Sequence, residues 1–325
     1  MRSAVLLLAF NRPETTRRVF ASIRHARPPR LYVAADGPRD GRLGEREACD
    51  EVRRLATNVD WPCDVRTLFR ERNLGCRDAV YGGISWFFEH EEEGIILEDD
   101  VVPTPEFFTF CEGGLTAYRH DTRVGLVAGF APRLSSMGRG GRVRFSSYAL
   151  IWGWATWRRV WLQYDPRLTE WDSVGQTVLA SQPHANGLFV HTWTHILNAA
   201  RNETVDTWDY QLTYLLMRTG MFCVVPGFTL VENGGFGPQA THTKESRPAW
   251  FPSPQAGRTA VHSYPEPSRD IRLDQAIGAT MYHITLRGRL RHRVLRLLPP
   301  ALRHWLRLRL WRRAASESKA TTAAA

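Results

Sequence analysis

The sequence is short of several things, and each shortage narrows what it can be. Of its 325 residues only Lys244 and Lys319 are lysines, so nearly all the positive charge is arginine. The five cysteines, Cys49, Cys63, Cys76, Cys111 and Cys223, contain no Cys-x-x-Cys pair. That spacing argues against a zinc site or a disulfide framework and suits a reducing compartment. No hydrophobic run approaches the ~20 residues that a membrane span requires. The longest near the start, Ala4 to Phe10, meets Asn11-Arg12-Pro13 with no small-residue cleavage site. It therefore reads as a buried first strand rather than a secretion signal, and the expected location is the cytoplasm.

Acidic residues are missing from one region only. From Thr285 to Arg313 there are ten Arg and no Asp or Glu, and the formal net charge of the whole chain is +10. Subtracting one from the other leaves the rest of the chain formally neutral. The basicity thus belongs to a tail, which counts against a nucleic-acid-binding body, as does the lack of any nucleic-acid motif. The tail mixes Arg with Leu and Trp around Pro299-Pro300, with Leu302, Trp305 and Leu306 on one helical face. Contact with anionic lipid at the inner membrane face and packing on the domain both suit it.

What is present has an α/β rhythm. Hydrophobic residues make up 43% of the chain, enough for a substantial core. Apolar runs of strand length (Ala4–Phe10, Leu31–Ala35, Cys63–Phe69, Gly94–Leu97 and Val124–Gly129) alternate with helical stretches over Arg12–His25, Gly44–Thr57, Arg77–Glu92 and Glu106–Tyr118. This is the pattern of a parallel sheet wrapped by helices. Farther on come a Trp-rich segment, a helix over Asp209–Arg218, a short strand at Cys223–Pro226 and the glycine-rich Asn233–Gly237. The stretch from Pro252 to Pro267 reads as a Pro-rich loop.

The sharpest feature is Glu98-Asp99-Asp100, which ends a wholly apolar strand. Alternation along a strand puts Glu98 and Asp100 on one face. Carboxylate oxygens suit hard cations such as Mn²⁺ or Mg²⁺, which keep waters and share a substrate's phosphates. Ligands of open α/β sheets bind outside the carboxyl ends of strands, where this triplet falls. The competing reading is a solvated acidic turn. Weaker signals accompany it. Arg77 opens a helix beside Gly75 and is either a phosphate contact or a surface arginine. Trp152-Gly153-Trp154 either shelves a sugar, with Gly153 permitting close approach, or fills the core. His242, after the glycines, either reaches the metal or diphosphate from a lid or does nothing.

Leu8-Ala9-Phe10-Asn11-Arg12-Pro13, Asp36-Gly37 closing the second strand, and Ile96-Leu97-Glu98-Asp99-Asp100 followed by Pro105-Glu106-Phe107-Phe108 resemble the GT-A glycosyltransferases. Within that group they are most similar to the N-acetylglucosaminyltransferase I type and its bacterial relatives. Trp152-Gly153-Trp154 and Trp208-Asp209-Tyr210 fall in the order of the family's acceptor-side motifs, and the likeness covers roughly residues 4 to 245. It implies a Rossmann-like mixed sheet flanked by helices. It also implies a catalytic domain over 1–245, with a donor half at 1–130 and an acceptor half at 131–245. A Pro-rich loop with a helical extension (246–284) and the basic tail (285–325) would follow.

The activity implied is metal-dependent transfer, with inversion, from a nucleotide-diphosphate sugar, UDP-linked by family habit, to a glycan or lipid-linked acceptor. Donor contacts would be Phe10, Asn11, Arg12, Asp36 (to the base), Arg77, Glu98 and Asp99. The metal would be held by Asp100 with Glu98 and His242, and the acceptor would lie on Trp152, Gly153 and Trp154. Asp209 resembles the base. The family has a second acid where this chain has Tyr210; were the base to belong there, Asp206 or Asp172 would serve. A non-catalytic sugar- or nucleotide-binding module of the same fold is the alternative.

Overall fold

The structure is a computed structural model that describes residues 1–134, 141–236, 247–254 and 263–285. In chain order its first half contains β1 (Ala4–Ala9), α1 (Pro13–Ala26), β2 (Arg30–Ala35), α2 (Glu45–Thr57), β3 (Asp64–Phe69), α3 (Cys76–His90) and β4 (Glu93–Glu98). There follow β5 (Val101–Pro103), α4 (Pro105–Ala117), β6 (Val124–Ala128), β7 (Arg144–Ser146), β8 (Trp154–Trp157) and α5 (Arg158–Trp161). The remainder holds α6 (Trp171–Ala180), α7 (Gly187–Arg201), α8 (Asp209–Thr219), β9 (Phe222–Val225), β10 (Val231–Asn233) and α9 (Ile271–Met281).

Eight strands form one mixed sheet in the order β3-β2-β1-β4-β8-β6-β9-β7. The pairings β3-β2, β2-β1, β1-β4 and β6-β9 are parallel, while β8 runs antiparallel to both neighbours and β7 to β9. The wholly apolar sequence of β1 is explained by its position: all six residues are buried, with a strand on either side and helices over the faces. The expected α/β sheet with flanking helices is therefore what the chain forms. The same sheet continues past residue 130, because β6 is followed into it by β7, β8 and β9.

The strand order places the site. The chain moves outward from β1 through β2 to β3, then returns through α3 to lay β4 on the opposite side of β1. In an open α/β sheet the ligand crevice lies where the strand order reverses, which here is at the carboxyl ends of β1 and β4. Phe10, Asn11 and Arg12 leave β1 there, and Asp99 and Asp100 leave β4. A two-stranded ribbon completes the crevice: β10 pairs antiparallel with β5, with Asn233 opposite Val101.

Most of the described tryptophans belong to the core. Among the described residues Trp61, Trp154, Trp157, Trp161, Trp171, Trp193 and Trp208 are buried, and only Trp86, Trp152 and Trp250 keep an open face. No helix among the described residues is long and apolar enough to cross a membrane. The basic tail from 286 onward and His242 lie outside the described residues.

Candidate functional site

Around the triplet, the two strand ends are tied directly to each other. The Phe10 backbone N–H donates to Asp99 Oδ2 at 2.9 Å, fixing the β1 loop to the end of β4. Arg12, the residue before α1, points Nη1 at Asp99 Oδ1 at 3.3 Å and also contacts Asp100 Oδ2. Pro13 lets the helix start at once, since its missing N–H would have had no partner in the first turn. Asn11 turns the other way and donates from Nδ2 to Glu45 Oε1 at 2.8 Å. Glu45 in turn accepts the Arg39 backbone N–H at 2.7 Å, so α2 anchors the loop.

Glu98 and Asp99, buried side by side, resist ionising. Burial, then Asp100 and Asp99, push the Glu98 carboxyl well above the usual carboxylate range, against the pull of Arg12. Burial raises Asp99 to about 6, with Arg12 opposing. Such a cluster is short of positive charge, which is the condition a hard cation would relieve. Among the described residues, no group of three or more His, Cys, Asp or Glu side chains forms a complete metal-binding set. Carboxylate oxygens such as those of Asp100 and Glu98 would supply only part of a hard cation's shell, which water and phosphate would have to complete. That a guanidinium already sits between Asp99 and Asp100 shows the oxygens to be turned toward a cation.

The glycine-rich stretch after β10 lies against the triplet. Gly234 N–H donates to the Asp100 carbonyl at 2.7 Å. At Gly235 an added Cβ would collide with the Asp100 carboxylate, so the backbone approaches this side chain as only glycine allows. The sequence showed the glycines; the antiparallel β5–β10 pairing that delivers them to Asp100 had no signal, since both strands are three residues long. Glu45 and Thr207, which orient Asn11 and Asp209, were also missed, being ordinary polar residues on a helix and a loop.

Asp36, at the carboxyl end of β2, is buried and accepts from Gly37 N–H (2.9 Å), Asn73 Nδ2 (2.8 Å) and Leu74 N–H (3.0 Å). Burial raises its carboxyl despite these donors. A small cleft of about 40 Å³ opens beside it, lined by Ala9, Ala35, Arg70, Ala79 and Val80 among others. Arg77 does not reach the crevice: its guanidinium is held by Asp78 at 3.0 Å and Glu203 at 3.1 Å.

The three acids considered as a base separate clearly. Asp172 is exposed and paired with Arg201 at 2.5 Å. Asp206 accepts the backbone N–H groups of Cys76 (2.7 Å) and Arg77 (2.9 Å), capping α3 from a distant part of the chain. Asp209 opens α8, receives the Thr207 hydroxyl, and lies close enough to Glu98 to raise that carboxyl further. Tyr210, half-buried, packs edge-on against Trp193.

The tryptophan pair splits. Trp154 belongs to β8, is 1% exposed and stacks on Trp208 at 5.8 Å, so of the two readings the sequence left open, sugar shelf or core, it takes the core. Gly153, at φ +63°, is also buried, and a Cβ there would press on Val231 and Phe107. Trp152 keeps an open face and joins Phe130, Trp250 and Phe251 in one aromatic group. Phe236 contacts Phe251, which carries that group to within one residue of Gly235 and the triplet.

No family model matches this chain, and no curated protein does. Among solved structures it is similar to HddC from Yersinia pseudotuberculosis, at 10% identity and TM-score 0.27 over 41% of this chain and 60% of that one. It is similar to a UDP-glucose pyrophosphorylase complexed with UDP-glucose, at 9% identity and TM-score 0.26 over 46% of this chain and 64% of that one. A third is 4-diphosphocytidyl-2C-methyl-D-erythritol synthase from Anaerococcus prevotii, at 8% identity and TM-score 0.32 over 66% of this chain and 97% of that one. The match spans less than two thirds of the first two proteins. Likenesses this partial do not bear on reaction or substrate, which must be argued from the site itself.

Proposed function

We propose that this chain is a glycosyltransferase that uses a nucleotide-diphosphate sugar and a divalent cation. One observation carries the reading: Glu98, Asp99 and Asp100 meet the Phe10–Arg12 loop at the crevice between β1 and β4, with Asp209 in electrostatic reach. The nucleotide would enter beside Asp36, and its diphosphate would lie toward Arg12 and the triplet. Mn²⁺ or Mg²⁺, held by Asp100 with Glu98 nearby, would neutralise the charge that builds on the departing diphosphate.

The reaction then needs a base and a positioned acceptor. The acceptor hydroxyl gives its proton to Asp209, its oxygen bonds the anomeric carbon, and the bond to the diphosphate breaks, inverting that centre. Thr207 holds the carboxylate in place. Trp152, partly exposed in the aromatic group that reaches Phe236 through Phe251, would stack on the acceptor, a glycan or lipid-linked sugar. Phe10 and Asn11 contribute by fixing the loop, Phe10 through its backbone and Asn11 through Glu45.

The direct test is transfer or slow hydrolysis of nucleotide sugars by the purified protein, with Mn²⁺ and with EDTA. Asp209→Asn should lower kcat by roughly 10²–10⁴-fold while leaving the donor KM within a few-fold, as expected for a lost base. Donor binding without turnover over a broad acceptor panel would instead mark a non-catalytic binding module. Full activity in EDTA would remove the metal from the mechanism.

A further inference from the structure

A positive charge already sits in the acidic triplet, and this chain supplies it. A single nitrogen of Arg12, Nη1, serves both Asp99 and Asp100. Asp99 and Asp100 have side chains only 8% and 15% exposed, and Arg12 only 24%, so water screens this contact far less than a surface ion pair. The arrangement is built in: β1 delivers Arg12 to the crevice, Pro13 starts α1 immediately after it, and the Phe10 N–H bond to Asp99 fixes the loop.

A guanidinium and a divalent cation bound together at the Asp100 carboxylate would oppose each other, because two positive groups within a few ångströms of each other in a partly buried site repel. We propose that Arg12 is the resident cation of the triplet and competes with the divalent cation for Asp99 and Asp100. It gives way when a nucleoside diphosphate offers its guanidinium other oxygens. Arginine suits such an exchange, since its planar fork binds carboxylate and phosphate by the same bidentate geometry. Metal and nucleotide then load together: the metal alone is opposed by Arg12, and the diphosphate lifts that opposition. This inference rests on the donor site proposed above and adds to it an order of binding.

The test measures Mn²⁺ affinity rather than turnover. Free Mn²⁺ is titrated by electron paramagnetic resonance against the full-length protein and its Arg12→Gln, Arg12→Lys and Asp100→Ala variants, without and with UDP. Arg12→Gln should bind Mn²⁺ about tenfold tighter than the wild type in the absence of nucleotide. Arg12→Lys, which keeps the charge, should stay near the wild type, and Asp100→Ala should bind little. UDP should tighten Mn²⁺ binding by a larger factor in the wild type than in Arg12→Gln. Arg12→Met, which keeps the apolar stem without the charge, preserves the comparison if Arg12→Gln does not fold. Equal or weaker Mn²⁺ binding by the charge-removed variants would overturn the competition while leaving the metal site standing. No Mn²⁺ binding by any form, with or without UDP, would overturn both.

Discussion

At the scale of single residues, Trp152 and Trp154 are the sharpest contrast, because two positions apart they do different work. Trp154 fills the sheet interior and stacks on Trp208, so Trp154→Ala should cost roughly 3–5 kcal/mol in a denaturant melt. Trp152 keeps an open face, so Trp152→Ala should cost less stability and should raise the acceptor KM; equal losses of stability in the two variants would contradict this division. The sequence could not separate them. In a Trp-Gly-Trp run both rings suit a sugar, and only the sheet pairing of Trp154 with Ile96 and Ala128 sends one of them inward. The triplet was legible for the opposite reason: three acids directly after four apolar residues is a pattern that a strand end explains and a helix does not. Arg77 was legible as a residue but not in its contacts, since Glu203 is far away in sequence.

At the scale of elements, α9 is the part the sequence showed least, appearing only as a helical extension within a Pro-rich stretch. Beside the apolar Leu273, Ala276 and Ile277 it buries one polar contact. Asp274, on the first turn, is fully buried and accepts from Ser146 Oγ (2.7 Å), Ser147 Oγ (2.7 Å) and Ser147 N–H (3.0 Å), with His184 Nδ1 at 3.6 Å. Such a contact has no periodicity to read. Asp274→Ala would leave these donors without their acceptor and should destabilise the protein by roughly 3–5 kcal/mol, measured by chemical denaturation. Burial lowers the pKa of His184, against the pull of Asp274. The unfolded chain therefore takes up this proton first, at about pH 6.5, so the contribution of His184 is fully present above that pH and is lost as the pH falls. Asp274, raised by burial, acts with the opposite sign: its contribution is fully present below the ordinary carboxylate range and is lost as the pH rises through its folded pKa. The stability of the wild type should decline just below pH 6.5, and His184→Gln should flatten that decline; an unchanged slope would assign it to other groups.

At the scale of the whole molecule, one sheet unites what the sequence divides. The first hundred residues could be read strand by strand because each βα unit repeats the same local pattern. The return of β8 between β4 and β6 could not, because a four-residue strand of Trp, Ala and Thr is set by its neighbours rather than by its own periodicity. Charge is divided too: the basic residues from 285 onward leave a formally neutral remainder. If that tail serves membrane contact, the full chain should sediment with anionic vesicles at low salt, release at high salt, and lose binding on deletion of 286–325. Equal sedimentation of the truncated chain would place the contact elsewhere. A donor held where β1 and β4 meet binds the folded state alone, and so raises its melting temperature by mass action. Melting curves with UDP-, GDP-, CMP- and dTDP-sugars, each with Mn²⁺ and with EDTA, therefore test that site most directly. A metal-held donor site should give a shift for one nucleotide class that disappears in EDTA and in Asp100→Ala. A shift that survives both, or no shift with any donor, would contradict it.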